Sequence, residues 1–455
     1  MSPPIKNPLL PKQEPSSEKH GSTSGVVFNV STSIIGAGIM SMPAAFKVLG
    51  VVPALLIITI IAWLSTISVG FLMKSTLAGE ATTYAGVMKE SFGKAGSVAV
   101  QVATMVATFG CMVIFSIIIG DVLSGNDNGG SVHLGVLQEW FGSHWWNTRI
   151  FSLLFIYAFV LLPLVLCRRV ERLAFSSAIS FLLAVLFVVI SSVLAISALM
   201  EGQTKNPRLF PDLTNGGSFW NLFTASPVIV TAFTFHFNGK NPSLTPNVQE
   251  IGRLLFFRAV HPIGFELKDP LHVIPATKIS VILCAAIYFA TGLFGYLLFG
   301  DATMSDILVN FDESSGSSIG SLLNDIVRLS YALHLMLVFP LMNFSLRANL
   351  DELMFPTMKA PLAKDTKRFV GLTLALLICC FLSAIAVPDI WYFFQFLGST
   401  TTVSIAFIFP AAIVLRNVHG VSTSREKIVA AIMLVLAVAT SIVAISTNLY
   451  SVTSK

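Results

Sequence analysis

Long apolar runs, separated by short polar segments, cover most of the chain. The runs reach or exceed the roughly 17–25 residues that an α-helix needs to cross about 30 Å of hydrocarbon. They predict an all-α polytopic membrane protein with eleven transmembrane helices. The predicted spans cover residues 24–46, 50–73, 95–123, 149–167, 174–200, 222–238, 275–299, 320–346, 368–388, 391–416 and 427–450. Residues 82–92 carry apolar positions at helical spacing and predict a further short helix at the membrane surface.

Composition supports this prediction and excludes several other classes of protein. Hydrophobic residues make up 54% of the 455 residues and charged residues only 11%, whereas a soluble domain carries about 25% charged residues. The 36 Phe residues outnumber the 23 Asp and Glu residues together. A soluble enzyme, a nucleic-acid-binding protein and a disordered scaffold are therefore not expected. The lipid bilayer is the expected partner, and nucleic acid is not.

The Lys and Arg residues indicate how the chain crosses the membrane. Most of those outside the spans fall on one side if the N-terminus is placed in the cytoplasm, as the positive-inside rule requires. Residues 1–23 then form a disordered cytoplasmic N-terminus without the apolar core of a signal peptide. Residues 201–221 form a non-cytoplasmic loop, and 417–455 comprise the eleventh helix and a non-cytoplasmic C-terminus.

No motif indicates an enzyme, a cofactor or a metal. The five cysteines lie in or beside apolar runs, and no pair has CxxC or Cys/His spacing. The chain contains neither HExxH nor Gly-x-Ser-x-Gly. We therefore expect no enzymatic activity and no cofactor.

The first span is predicted to be broken. It contains Gly36-Ala37-Gly38 at its middle and Pro43 five residues later. Glycine lowers the cost of leaving the helical conformation, and unwound backbone within a membrane is tolerated only where it lines a cavity or binds something. The alternative is that Gly36 and Gly38 only allow close packing of helices.

The sixth span shows a second interruption, after Phe235-His236-Phe237-Asn238. An ionisable residue at membrane depth suggests function, although His236 can equally be a hydrogen-bonded packing residue. Broken helices five spans apart are typical of two inverted five-helix repeats around a binding site at the membrane midplane. The repeats would cover 24–200 and 222–416.

At these breaks the sequence resembles a known family. The run FNVSTSIIGAGIMSMPAAFKVLG resembles the first-helix signature of the amino acid/auxin permease family, above all its sodium-coupled neutral amino acid transporters and plant vacuolar amino acid transporters. The segments FTFH and HPIGFELKDP resemble the family's sixth helix, and Ile326–Leu329 its eighth. The resemblance covers about residues 24–450. It implies an eleven-helix transporter of amino acids with a five-plus-five inverted repeat.

The same resemblance implies the substrate-binding residues. The backbone of Gly36, Ala37 and Gly38 would hold the α-carboxylate of a small amino acid. The α-amino group would meet Asn29, Ser31 and carbonyl groups near Phe235, with His236 and Asn238 completing the site.

The chain departs from the family pattern in its sixth helix. The family places the His and the Pro-Ile pair a few residues apart, whereas residues 239–259 separate them here. Removing these 21 residues gives FTFHFNVHPIGFEL, which restores the register. We interpret 239–259 as an insertion, either a retained in-frame intron or a gene-model error, with a genuine loop as the alternative. The chain as translated is then a candidate for a transport-impaired isoform.

The coupling ion is the second departure. Sodium-coupled relatives pair the first-helix Asn with a hydroxyl on the eighth helix. Asn29 is present, but the stretch Leu335–Pro340 has no Ser or Thr. Because sodium prefers oxygen ligands, a proton is favoured and sodium remains possible. Asn29, His236 and His334 are the candidate ion-coupling residues, with helix packing as the alternative role of His334.

Two further questions stay open at this point. An amino acid sensor on the same fold is the alternative to a transporter, although the cytoplasmic segments are short for docking a partner. The N-terminal Asn7-Pro8-Leu9-Leu10 resembles a dileucine sorting signal. A vacuolar membrane is therefore favoured over the plasma membrane.

Overall fold

The computed structural model describes residues 27, 31, 34–81, 83–126, 133–166, 170–202, 204–212, 216–234, 273–312, 318–355, 362, 365–387 and 389–453. Over these ranges the protein is nearly all helical, with one isolated β-bridge between Asn126 and His133. The longer helices are α1 (Ala37–Leu49), α2 (Val51–Ala78), α3 (Tyr84–Ser124), α4 (Val136–Phe141), α5 (Arg149–Leu166), α6 (Val170–Met200), α7 (Gly216–Ala232), α8 (Val273–Phe299), α9 (Ser318–Met354), α10 (Thr366–Ala386), α11 (Ile390–Arg416) and α12 (Ser424–Thr453).

Nine helices in the described part of the chain are long and apolar enough to cross a membrane. The apolar helices α1 and α7 are shorter, and they correspond to the two spans predicted to be broken. Together they fit the predicted order of spans. The total of eleven stays a prediction, because most residues that would extend α1 backwards and α7 forwards lie outside the described ranges.

Helix α3 joins two elements that the sequence predicts separately. It begins at Tyr84, where the Thr83 side chain accepts a hydrogen bond from the backbone N–H of Gly86. It kinks at Gly93, whose φ of 69° is readily adopted by glycine alone. The Gly93 kink thus separates a short helical segment, close to the helix predicted over 82–92, from the span predicted over 95–123.

The helices enclose an apolar core and leave an apolar outer surface. Helix α9 packs along α6 and α3, while α8 packs against α1 and α2. Ile39, Met40 and Phe46 of α1 are completely buried at the centre. By contrast, Phe159 and Ile282 are each 69% exposed on the outside of the bundle. An apolar surface of this kind is what lipid covers.

Candidate functional site

The first break lies at Gly36. Its backbone is extended (φ −146°, ψ −158°), and the chain resumes as the 3₁₀ turn Ala37–Ser41 that opens α1. The first N–H groups of a helix have no partner within it, and together with the helix dipole they attract negative charge. The break therefore places the start of α1, with no side-chain cap, among buried residues.

The second break follows α7 and lies against the first. Helix α7 ends at Ala232, and Thr234 is the last described residue of this segment. A Cβ atom added to Gly38 would lie 2.6 Å from the Cβ of Ala232, whereas one added to Gly36 would meet nothing within 4 Å. Close packing therefore explains Gly38, and it does not explain Gly36.

A tyrosine on α8 connects the two breaks. The Tyr288 hydroxyl lies 2.6 Å from the carbonyl oxygen of Ile34 and 3.0 Å from that of Ala232. Its ring is completely buried and packs edge-on against Phe233, with 5.1 Å between ring centroids. Because a hydroxyl has one hydrogen, it cannot fully satisfy both carbonyls. At least one of them keeps acceptor capacity for another donor.

Tyr288 is the last of three donors on one face of α8. Four residues earlier, the Cys284 thiol lies 3.7 Å from the carbonyl oxygen of Ser31. Eight residues earlier, the Ser280 hydroxyl lies 2.9 Å from the carbonyl oxygen of Val27 and 3.0 Å from that of Ala276. Residues four apart share a helix face, so α8 holds the backbone before the Gly36 break at three successive points. Sequence reasoning missed these residues, although their i, i+4, i+8 spacing in an apolar run was visible.

The structure brings together some of the predicted site residues. Ser31 is buried, and its hydroxyl has no hydrogen-bond partner among the described residues. Ala37 and Gly38 are buried beside the break. Asn29, Phe235, His236 and Asn238 lie outside the described residues.

His334 is connected to the first break through Tyr331. It is buried on α9, and its ring centroid is 4.9 Å from that of Tyr331. The Tyr331 hydroxyl in turn donates to the carbonyl oxygen of Gly36 at 2.9 Å. The carbonyl oxygen of Gly36 is therefore hydrogen-bonded to α9. The Leu335–Pro340 stretch of the same helix carries no hydroxyl.

The comparisons with known proteins identify relatives over nearly the whole chain. A family of transmembrane amino acid transporter proteins matches residues 19–240 and 256–452. The unmatched residues 241–255 fall inside the predicted insertion. The amino acid transporter AVT6C of Arabidopsis thaliana is 85% identical over 453 residues, covering 99% of both chains. The sodium-coupled neutral amino acid transporter 7 of Danio rerio is 25% identical, covering 91% of this chain and 83% of that protein.

Solved structures share the fold at low sequence identity. A manganese transporter of Eremococcus coleocola superposes with a TM-score of 0.53 at 13% identity, covering 96% of this chain and 89% of that one. MhsT in complex with L-phenylalanine gives 0.54 at 13% identity, covering 95% and 99%. Both are LeuT-fold transporters with a five-plus-five inverted repeat, which confirms the predicted architecture. By its sequence and its fold, this multi-pass membrane protein belongs to the transmembrane amino acid transporter family.

Proposed function

We propose that the protein carries small amino acids across the membrane by alternating access, and that protons rather than sodium ions drive the transport. The observation that carries this proposal is the meeting of the two interrupted helices at Tyr288. There, carbonyl groups that immediately precede the two breaks reach one buried hydroxyl. Backbone groups of this kind are tolerated within a membrane where they bind a polar ligand.

The α-carboxylate and the α-amino group determine how the substrate is oriented in the site. The N–H groups at the start of α1, from Gly36 to Gly38, attract the α-carboxylate. The α-amino group accordingly lies towards Asn29, Ser31 and the carbonyl groups near Phe235. The carbonyl oxygens of Ile34 and Ala232, which share one Tyr288 hydrogen, supply further acceptors for an ammonium group.

The proton is favoured as the coupling ion for a chemical reason. The Leu335–Pro340 stretch of α9 offers no side-chain oxygen, and sodium requires a set of hard oxygen ligands. His236 and His334 are the candidate proton carriers, since imidazole titrates near neutral pH. Sodium is the alternative coupling ion, because Asn29 matches the first-helix Asn of the sodium-coupled relatives.

Radiolabelled amino acid flux into proteoliposomes tests the proposal. A pH gradient without sodium should drive uptake above equilibrium, and a sodium gradient without a pH gradient should not.

Tyr288→Phe should slow this uptake, because it removes the hydroxyl that joins the breaks. Tyr157→Phe is the matched control, since it removes a buried hydroxyl that bonds Ser116 at 2.6 Å, away from the breaks. Uptake driven by sodium alone would contradict proton coupling. Binding without flux under either gradient would favour the sensor.

The predicted insertion affects the second break. The interruption of the family match at 241–255 supports treating 239–259 as additional to the family pattern. Deleting 239–259 should raise flux if the segment disturbs the site. Equal flux with and without the segment would show that it is accommodated as a loop.

The remaining proposals concern placement in the cell. Vacuolar location, a cytoplasmic N-terminus and the repeat boundaries at 24–200 and 222–416 follow from the sequence arguments alone. Imaging of a fluorescent fusion, with protease protection of a tag at each end, tests the location and the orientation together.

A further inference from the structure

The segment between α8 and α9 is anchored deep in one end of the bundle. The Lys47 ammonium of α1 donates to the carbonyl oxygen of Thr303 at 3.1 Å. The Ser41 hydroxyl donates to that of Ser305 at 2.7 Å, and the Ser305 hydroxyl donates to Asp389 at 3.0 Å. Residues 303–312, here called the 303–312 segment, therefore connect the resumed first helix with the start of α11.

A carboxylate inside this segment lacks a full set of partners. Asp306 is only 1% exposed. Its Oδ1 accepts a hydrogen bond from the backbone N–H of Leu308 at 3.0 Å, and its Oδ2 has no partner among the described residues. Burial of an ionised carboxylate without donors is strongly disfavoured, so the proton is the simplest ligand for this oxygen.

The neighbouring cations are already committed to other groups. Arg149 of α5 binds the buried Asp121 of α3. Arg328 of α9 binds Glu139 and the carbonyl oxygen of Leu134, each at 2.5 Å. The two guanidinium groups therefore attract Asp306 only from a distance.

The other groups that face Asp306 do not stabilise its charge. Burial, and then the negative charge of Asp121, raise the pKa of Asp306 well above its usual range, and the Leu308 N–H and the two arginines offset this only in part. Asp389 adds a further negative charge beside Asp121. Tyr331 also lies within electrostatic reach of Asp306.

We propose that Asp306 is a proton-binding site of the transport cycle, and that the 303–312 segment occupies its buried position only when Asp306 carries a proton. The part that concerns transport rests on the proposed function. Once the segment lifts, water hydrates the carboxylate and the proton leaves. Acid on this side of the membrane therefore favours closure of this end. Tyr331 donates to the carbonyl oxygen of Gly36 and lies within electrostatic reach of Asp306, so closure of the segment affects a residue beside the substrate site.

Thiol labelling tests the proposal without requiring transport. Val309 lies in the segment and is 2% exposed, so Val309→Cys reports when the segment lifts. We expect labelling by a membrane-impermeant maleimide, corrected with a free thiol for ionisation of the sulfur, to rise with pH between about pH 5 and about pH 8. Between the ordinary pKa of a hydrated carboxylate and the raised pKa of buried Asp306, the rise should approach about tenfold per pH unit. Asp306→Asn, which mimics the protonated form, should keep labelling low and independent of pH.

A carboxylate at the end of α8 provides the matched control. Asp301 is largely exposed and pairs with Arg208 at 2.6 Å, so Asp301→Asn should leave the pH dependence of labelling unchanged. Asp306→Ser is a second non-titrating variant should Asp306→Asn fail to fold. A pH dependence that persists in Asp306→Asn or Asp306→Ser would overturn the proposal.

Flux separates this proposal from the proposed function. In proteoliposomes, wild-type flux should fall as the pH on the segment's side rises, and Asp306→Asn should lose this dependence. If the wild type carries no amino acid at all, the proposed function fails, while the labelling experiment still decides whether Asp306 controls the segment. Flux in Asp306→Asn with the wild-type pH profile would contradict a role of Asp306 in the cycle.

Discussion

The two ends of the helical bundle differ in their ionisable groups, although each contains an ion pair with a buried arginine. At the end that contains the 303–312 segment, here called the Asp306 end, Asp306 and Arg328 are each 1% exposed. At the opposite end, here called the Lys74 end, Lys74 of α2 pairs with Glu426 of α12 at 2.8 Å, with side chains 40% and 31% exposed. A second exposed pair there joins His419 to Glu90 at 3.1 Å.

The exposure of a charged pair determines how strongly it resists opening of its end. An exposed ion pair contributes about 0–1 kcal/mol, since water replaces each partner. A buried charge that loses its partner costs about 3–5 kcal/mol. The Lys74 end also contains a buried arginine, Arg368, which pairs with Asp351 at 3.2 Å. The two ends therefore differ in the incompletely paired carboxylate Asp306, and not in the presence of buried charge. Loss of the proton on Asp306 lowers the cost of opening the Asp306 end, as alternating access governed by this residue requires.

The largest effect is expected from Arg328→Ala at the Asp306 end. The substitution leaves Glu139 without its guanidinium partner and the Leu134 carbonyl without a donor. We expect the free energy of unfolding to fall by about 3–5 kcal/mol, measured by thermal unfolding in one detergent. Arg208→Ala is the control, because Arg208 is far more exposed than Arg328 and should cost no more than about 1 kcal/mol. Equal losses in the two variants would remove the distinction between buried and exposed pairs.

An intermediate effect is expected at the middle of the bundle, where α1 packs against α7. Gly38→Ala places a methyl group within 2.6 Å of the Ala232 Cβ and forces α1 away from α7. We expect a loss of about 1–3 kcal/mol from overpacking, again by thermal unfolding, together with slower flux. Gly36→Ala is the control, because a methyl group there meets nothing within 4 Å and should leave stability almost unchanged. A Gly38→Ala protein as stable as Gly36→Ala would show that the two breaks are further apart.

The smallest effect is expected from Lys74→Ala at the Lys74 end. The free energy of unfolding should change by no more than about 1 kcal/mol, and the difference from wild type should shrink at high salt. Thermal unfolding at low and high ionic strength provides the measurement. A loss above about 3 kcal/mol would show that this end is held as firmly as the other.

The sequence predicts much of the fold because apolar run length is a strong signal in a membrane protein. It also indicates the first break, since Gly36 and Gly38 interrupt an otherwise apolar span. The roles of the two glycines are separated only by the contacts that surround them. Gly38 faces Ala232, which lies 194 positions away in the chain, and no local pattern encodes that proximity.

The polar contacts of the site were harder to predict. Tyr288 and Tyr331 each stand in a long apolar run and are not distinguished from packing residues until their hydroxyls are found on the carbonyls of Ile34, Ala232 and Gly36. Asp306 belongs to a loop with several acidic residues, and nothing in the local sequence distinguishes it from Asp301 or Asp312. Its burial depends on contacts with α1, α3 and α11, which are remote in sequence.

Distances across both ends, measured by double electron–electron resonance, test most directly whether the ends open in turn. Spin labels at the exposed Leu134 and Leu209 report on the Asp306 end, and labels at the exposed Leu77 and Val418 report on the Lys74 end, in a cysteine-free background that retains flux. As the pH is raised without substrate, the Leu134–Leu209 distance should lengthen while the Leu77–Val418 distance shortens, and acid should reverse both changes. Distances that lengthen together, or that do not respond to pH, would contradict alternating access governed by Asp306.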